Sequence, residues 1–244
     1  MVKPRAMVPN MVTFGNLFLG FYSIILASQG KLIAASWLIL IASVFDGLDG
    51  LVARLMRETS DFGGEVDSLS DIVSFGLAPS FLMYHIMLKQ LGIFGLLLSF
   101  TLLCFGAVRL AKFNLLTDDL KPKGRYIGLP IPSTALTLTA YYLFARHNGN
   151  ITVDPAILIS LILILSFLMV SPIQYRRMPV VPIRNCKYPA LSIGFLVLVF
   201  GVMFWKPGLT LFPIMALYIF TGPIEWGLIH SRQAQIEDEK ENLE

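Results

Sequence analysis

Eight apolar runs, each about the length needed to cross a lipid bilayer, divide this chain. They cover residues 11–28, 32–56, 67–88, 91–113, 128–146, 155–172, 189–205 and 208–229, and a spanning helix needs roughly 20 mostly apolar residues. In hydrocarbon the main chain has no water to bond, so each run must satisfy its own N–H and C=O groups, as a helix does. The runs therefore predict an all-α polytopic membrane protein of about eight transmembrane helices. Charge agrees: 14% of the residues are charged and 55% hydrophobic, against about 25% charged in soluble domains. Residues 1–230 are expected to form a single integral membrane domain, followed by a polar tail, 231–244, that is either a solvated helix end or disordered. No soluble domain and no nucleic-acid partner are expected. The first run follows Lys3 and Arg5, but no small-residue cleavage site comes after it, so it reads as a retained helix. Cys104 lies in a run and Cys186 in a loop, which makes neither a disulfide framework nor a zinc pattern.

Orientation follows from the basic residues, which concentrate in cytoplasmic loops. Of 19 Lys and Arg, only Lys31, Lys89, Arg146 and Lys206 fall on one side when the runs are threaded alternately. The other side is the cytoplasmic one on this rule. Both termini are expected in the cytoplasm, with the chain in the inner or plasma membrane and surrounded by its lipids.

The segment "DGLDGLVARLMRETSDFGGEVDSLSD", residues 46–71, breaks the apolar pattern with seven of the 16 acidic residues. It begins in the last turns of a run that is too long for the hydrocarbon alone. Asp46 and Asp49 are three apart and share a helix face; Asp67 and Asp71 are four apart and share a face of the next helix. A short turn around "SDFGG" is expected to join the two. If these helices pack antiparallel, four carboxylates converge near the membrane, where their repulsion and desolvation are costly. One or two divalent cations resolve the conflict. Oxygen-only donors suit Mg²⁺, Mn²⁺ or Ca²⁺, and the lack of histidine argues against zinc. Gly47, Gly50, Ala53, Gly63 and Gly64 leave room beside the carboxylates. Arg54, one turn past Gly50, is placed to meet a phosphate bidentately. On charge and spacing alone, a metalloenzyme and an ion-coupled transporter fit equally well.

The full pattern is Asp46-x2-Asp49-Gly50-x2-Ala53-Arg54-x8-Gly63-x3-Asp67-x3-Asp71. It resembles, position by position, the signature of the CDP-alcohol phosphotransferase family, membrane enzymes that displace CMP from a CDP-linked alcohol. The stretches "VPNMVTFGNLFLG" (8–20), "DSLSDIVSFGLAP" (67–79), "RLAKFN" (109–114) and "GLPIP" (128–132) look like that family's membrane-embedded phosphatidylserine synthase branch. The resemblance covers roughly residues 8–140. It implies a six-helix core within a catalytic region of about 8–205; two extra spans depart from that core. It also implies a homodimer, a pair of Mg²⁺ or Mn²⁺ ions, and the reaction of CDP-diacylglycerol with L-serine to give phosphatidylserine and CMP at the cytoplasmic face. Carried over by position, Asp46, Asp49 and Asp67 become metal ligands, and Asp71 becomes both ligand and general base. Gly50, Ala53 and Arg54 fall to the CDP-lipid, with Ser60 and Gly63 beside the nucleotide or pyrophosphate, and Asn10 and Thr13 touch the nucleotide. Glu58, Asp61 and Glu65 are left as solvated residues.

A serine carboxylate calls for its own cation. Arg109 sits too deep in its run for a residue that only sets topology, and Lys112 follows on the same face. These two, with Arg125 as a further candidate, are expected to bind serine. The nearest rival keeps the family and changes the acceptor to glycerol 3-phosphate or inositol phosphate. Pro79, Pro130, Pro132, Pro213 and Pro223 are expected at kinks or span starts. Glu225 is expected to face a neighbour or the interface.

Overall fold

A computed structural model of the chain describes residues 7–56, 61–115, 125–147, 153–176, 201 and 207–241. The described part is almost wholly helical. Helix α1 spans Met7–Ser28, α2 Leu32–Met56, α3 Asp61–Asp71, α4 Ala78–Ile86, α5 Ile93–Leu115, α6 Ile131–His147, α7 Pro155–Val170 and α8 Pro207–Glu241. A π-helical segment, Ile72–Leu77, joins α3 to α4, and a 3₁₀ turn, Leu88–Leu91, follows α4. Two short strands, β1 (Arg125–Ile127) and β2 (Gln174–Arg176), pair antiparallel with Tyr126 opposite Tyr175.

Among the described residues, four helices are long and apolar enough to cross a membrane, over Asn10–Ser28, Leu32–Gly50, Ile93–Leu115 and Gly208–Gly227. The chain is an all-α polytopic membrane protein. The other expected runs take different forms. Run 155–172 is the shorter apolar helix α7, capped by Asp154, whose Oδ1 accepts the Ala156 N–H at 2.7 Å. Run 128–146 becomes α6, which is buried on nearly every side and packs against α2, α7 and α8 at the centre of the core. Run 189–205 lies outside the described residues except for position 201.

Run 67–88 departs most from an unbroken span. Pro79 has no N–H to donate, and its ring would clash with a carbonyl one turn back in an α-helix. The chain widens there instead: the Ala78 N–H donates to the Val73 carbonyl, five residues back, and the Ser80 hydroxyl donates to the Gly76 carbonyl at 2.7 Å. Asp71 stands at the start of this widened turn. The turn expected around "SDFGG" is not found at residues 61–64. Asp61, Phe62, Gly63 and Gly64 are already helical in α3, because the first turn leaves few main-chain bonds for glycine to weaken. Residues 57–60 lie outside the described residues. The polar stretch from Ser231 continues α8 as helix to Glu241.

Small residues set the closest crossings, as expected where helix packing rather than burial from water draws helices together. A Cβ on Gly20 of α1 would lie 2.6 Å from the Ser74 Cα. A Cβ on Gly208 of α8 would lie 2.7 Å from the Leu143 carbonyl carbon of α6. Gly128 has φ +72°, and a Cβ there would overlap the Met169 carbonyl. Its N–H donates to the Ile173 carbonyl at 2.8 Å, and the Leu129 N–H to that of Leu168 at 3.0 Å. "GLPIP" is thus the clasp that seats the start of α6 on the end of α7.

Helix α8 fastens β2. The buried Tyr175 ring fills the space that a side chain at Gly222 would need, and its hydroxyl donates to the Ile219 carbonyl at 3.3 Å. The Tyr218 hydroxyl donates to the Arg176 carbonyl at 3.1 Å, and Arg176 Nε pairs with Glu225 Oε1 at 2.7 Å. Glu225 faces a neighbour, as expected.

Candidate active site

The acidic cluster forms where the end of α2 and the helix α3, both packed against α1, bring their aspartates together. Asp46 and Asp49 project from the last turns of α2, beyond most of its apolar length, and Asp67 from α3. Asp46, Asp49 and Asp67 each offer an oxygen within 4.8 Å of the others. Asp49 is buried, and Asp46 and Asp67 are half-buried. Asp71, one turn past Asp67, is also buried and is an electrostatic neighbour of Asp46. The convergence expected from spacing is therefore present. Two buried oxygens, Asp49 Oδ2 and Asp67 Oδ1, have no hydrogen-bond partner. Buried acceptors crowded together without donors fit a hard cation, which oxygen ligands of this kind hold. Asp46, Asp49 and Asp67 would hold it, with Asp71 alongside.

The glycines keep one side of the cluster open. A Cβ at Gly47, Gly50 or Gly64 would meet no atom within 4 Å. Thr13 of α1 is buried and hydrogen-bonds to Asp49, which brings it to the site as expected. Asn10 lies half-buried one turn earlier on α1, and Gly63 is half-buried in the first turn of α3. The side chains of Ala53, Arg54 and Arg125, and Ser60 as a whole, lie outside the described residues.

Arg109 reaches the cluster from α5. It is 7% exposed, and its electrostatic neighbours include Asp71, Asp46, Tyr126 and Tyr218. Its guanidinium carbon lies 6.0 Å from the centre of the Phe113 ring, and its Nε has no hydrogen-bond partner. Asn114 Nδ2 donates to Ser68 Oγ at 3.1 Å, tying the end of α5 to α3. Lys112 is exposed, and it lines the same recess as Arg109, together with Phe113, Ile127 and Ser171. Two of the cations singled out in the sequence, Arg109 and Lys112, thus border one recess.

One polar residue at the site was not foreseen. Asn16 of α1 is fully buried, and its Nδ2 donates to Asp71 Oδ1 across 3.5 Å. The signal was within reach, since Asn16 stands three residues after Thr13 and shares its helix face. Tyr126 and Tyr218 were also unforeseen, because β1 and α8 meet Arg109 from distant parts of the chain.

Comparisons with known proteins point to one family. Residues 6–173 match the model of the CDP-alcohol phosphatidyltransferase family. The chain is 36% identical over 230 residues to a CDP-diacylglycerol–serine O-phosphatidyltransferase of Helicobacter pylori, covering 92% of this chain and 93% of that one. It is 37% identical over 172 residues to an archaetidylserine synthase of Methanothermobacter thermautotrophicus, covering 70% of each. It is 34% identical over 168 residues to a CDP-diacylglycerol–serine O-phosphatidyltransferase of Bacillus subtilis, covering 69% of this chain and 89% of that one.

Proposed function

The chain belongs to the CDP-alcohol phosphatidyltransferase family, and on that premise we propose that it transfers the phosphatidyl group of CDP-diacylglycerol to L-serine, releasing CMP. The observation that carries this reading is the likeness, across nearly the whole chain, to relatives named for serine as acceptor. Of the two readings that spacing left level, membership of a transferase family supports the enzyme over the ion-coupled transporter, with the carboxylates in its service.

Members of the family use divalent metal ions, and the Asp46, Asp49 and Asp67 oxygens form the matching donor set. When bound, one or two Mg²⁺ or Mn²⁺ ions neutralise the diphosphate and stabilise the departing CMP. The remaining work falls to side chains. Gly50, Ala53 and Arg54, with Ser60, Gly63, Asn10 and Thr13, receive the CDP moiety; the open face at Gly47, Gly50 and Gly64 supports this. Arg109, with Lys112 and Arg125, receives the serine carboxylate. Burial of Arg109 beside the acidic cluster supports that role, because a guanidinium removed from water needs an anion and matches a carboxylate in shape.

A serine hydroxyl is a weak nucleophile at neutral pH. Asp71 takes its proton as the serine oxygen bonds to the phosphatidyl phosphorus, and the bond from that phosphorus to the CMP oxygen breaks. The positive-inside bias of the loops supports a cytoplasmic site and cytoplasmic termini, where soluble serine and CMP exchange while the acyl chains stay in the bilayer. The family resemblance supports a homodimer, which the mass of the purified protein in detergent checks.

The test is CMP release by the purified protein given CDP-diacylglycerol, Mg²⁺ or Mn²⁺, and one acceptor at a time. Serine-dependent release is expected, and Asp71→Asn abolishes it. Release with glycerol 3-phosphate or inositol phosphate but not serine would reassign the acceptor, and no release with any acceptor would remove the enzymatic reading.

A further inference from the structure

Helix α1 crosses α3 and the π segment in a fixed register. The buried Ser70 hydroxyl donates to the Thr13 carbonyl at 3.1 Å, and the buried Ser74 hydroxyl donates to the Asn16 carbonyl at 2.9 Å. Gly20 lets the two backbones touch at Ser74. Three points along α1 therefore hold the helix segment that carries Asp71. Within that register the Asn16 side chain, 0% exposed, points its Nδ2 at Asp71 Oδ1 across 3.5 Å, while its own Oδ1 has no partner.

Packing alone does not account for an amide here. Burying an amide without full hydrogen bonding carries a desolvation cost that an apolar side chain at this position would not. What the amide adds is a neutral donor. It holds one carboxylate oxygen in place without adding a second cation beside Asp71, which already has Arg109 as an electrostatic neighbour. The contact is long, as catalytic hydrogen bonds often are before substrate is bound.

We propose that Asn16 is the positioning residue for Asp71: its amide holds Oδ1 so that Oδ2 stays presented to the acceptor hydroxyl. This rests on the reading of Asp71 as general base. Asn16 does not touch the reacting atoms on this account; it acts through the Asp71 rotamer. Its loss should lower kcat and leave substrate affinity and metal binding intact.

The test compares Asn16→Leu, Asn16→Asp and Asn16→Ser with the parent enzyme in detergent. Four quantities are measured: kcat, the KM for each substrate, Mn²⁺ affinity by electron paramagnetic resonance, and unfolding temperature. Leu is expected to lower kcat about 10- to 100-fold, within the range that a positioned proton acceptor contributes, with both KM values and Mn²⁺ affinity within about twofold. Asp keeps the shape of Asn and sets an acceptor against Asp71, so it should lower kcat at least as far. Ser, which keeps a donor, should retain more activity than Leu. Parental kcat in both Leu and Asp variants would overturn the proposal. So would a loss of Mn²⁺ affinity and unfolding temperature in step with kcat, which would mark a scaffold role. Asp71→Asn is assayed in parallel. An inactive Asp71→Asn beside a fully active Asn16→Leu refutes Asn16 alone, whereas an active Asp71→Asn refutes the base assignment on which it rests.

Discussion

Neutralising one carboxylate of the cluster should make the metal-free protein more stable and deprive it of its response to metal. Asp46, Asp49 and Asp67 have oxygens within 4.8 Å of one another. At that distance two unit charges repel by roughly 3.5 kcal/mol for an effective dielectric constant of about 20. Asp49→Asn removes two such pairs. Side-chain rearrangement and counter-ions offset much of the repulsion, so the net gain should be about 1–3 kcal/mol. In a chain of this size that raises the unfolding temperature by roughly 2–10 °C. The parent protein instead gains from the ion. A ligand at about 100 times its Kd contributes about 2.7 kcal/mol, or roughly 5–10 °C. The assay is thermal unfolding of both proteins in detergent, in EDTA and across a Mn²⁺ titration. The parent should start lower and climb with metal; Asp49→Asn should start higher and stay level. An Asp49→Asn protein that unfolds below the parent in EDTA, or one that climbs with metal in parallel with it, would refute the reasoning. The first result would mean that Asp49 is held by partners and not strained by its neighbours; the second would mean that the ion binds elsewhere.

Other substitutions separate the two sides of the site. Arg109→Ala should raise the serine KM about 10- to 100-fold, as expected for losing hydrogen bonds to a charged group, and should change the CDP-diacylglycerol KM far less; equal effects on both in steady-state kinetics would sink the assignment. Gly128→Ala forces a side chain into a left-handed conformation and against the Met169 carbonyl, so it should cost about 2–4 kcal/mol and lower the unfolding temperature, while any folded fraction keeps its response to Mn²⁺.

Much of this molecule is legible in its sequence, for a physical reason. A membrane-crossing helix is a local object, since its length, composition and internal hydrogen bonds all come from one segment. Runs 11–28, 32–56 and 91–113 accordingly return as α1, α2 and α5 with ends moved by a few residues. The acidic cluster was legible because each pair of aspartates is spaced on its own helix; what spacing did not show is that α2 and α3 are brought together by packing on α1. What was not legible depends on distant contacts. The π segment follows from Pro79 meeting the needs of a packed helix. The β1–β2 pair joins segments far apart in the chain, with no alternation long enough to announce either strand. Asn16 is an ordinary polar residue in an apolar run until α1 is laid against α3, and only then does it face Asp71.

The same distinction bears on α8, which lies beyond the part of the chain that matches the family model. Its side chains reach the acidic cluster by no described contact. They reach β2 instead, through the Tyr175 ring against Gly222, the Tyr218 hydroxyl on the Arg176 carbonyl, and the Arg176–Glu225 pair. Strand β2 holds β1, and β1 supplies Ile127 to the recess that Arg109 and Lys112 line. Tyr218 itself is an electrostatic neighbour of Arg109. Of these contacts, the exposed ion pair contributes least, about 0–1 kcal/mol. The fully buried tyrosine, set where no side chain could stand at Gly222, contributes most, because such a fit tolerates little change in volume. A disturbance in α8 therefore travels along β2 and β1 to the Arg109 side of the site. Helix α8 also packs on α6, and α6 packs on α2 and the π segment, so a second route runs from α8 to the helices that carry the carboxylates.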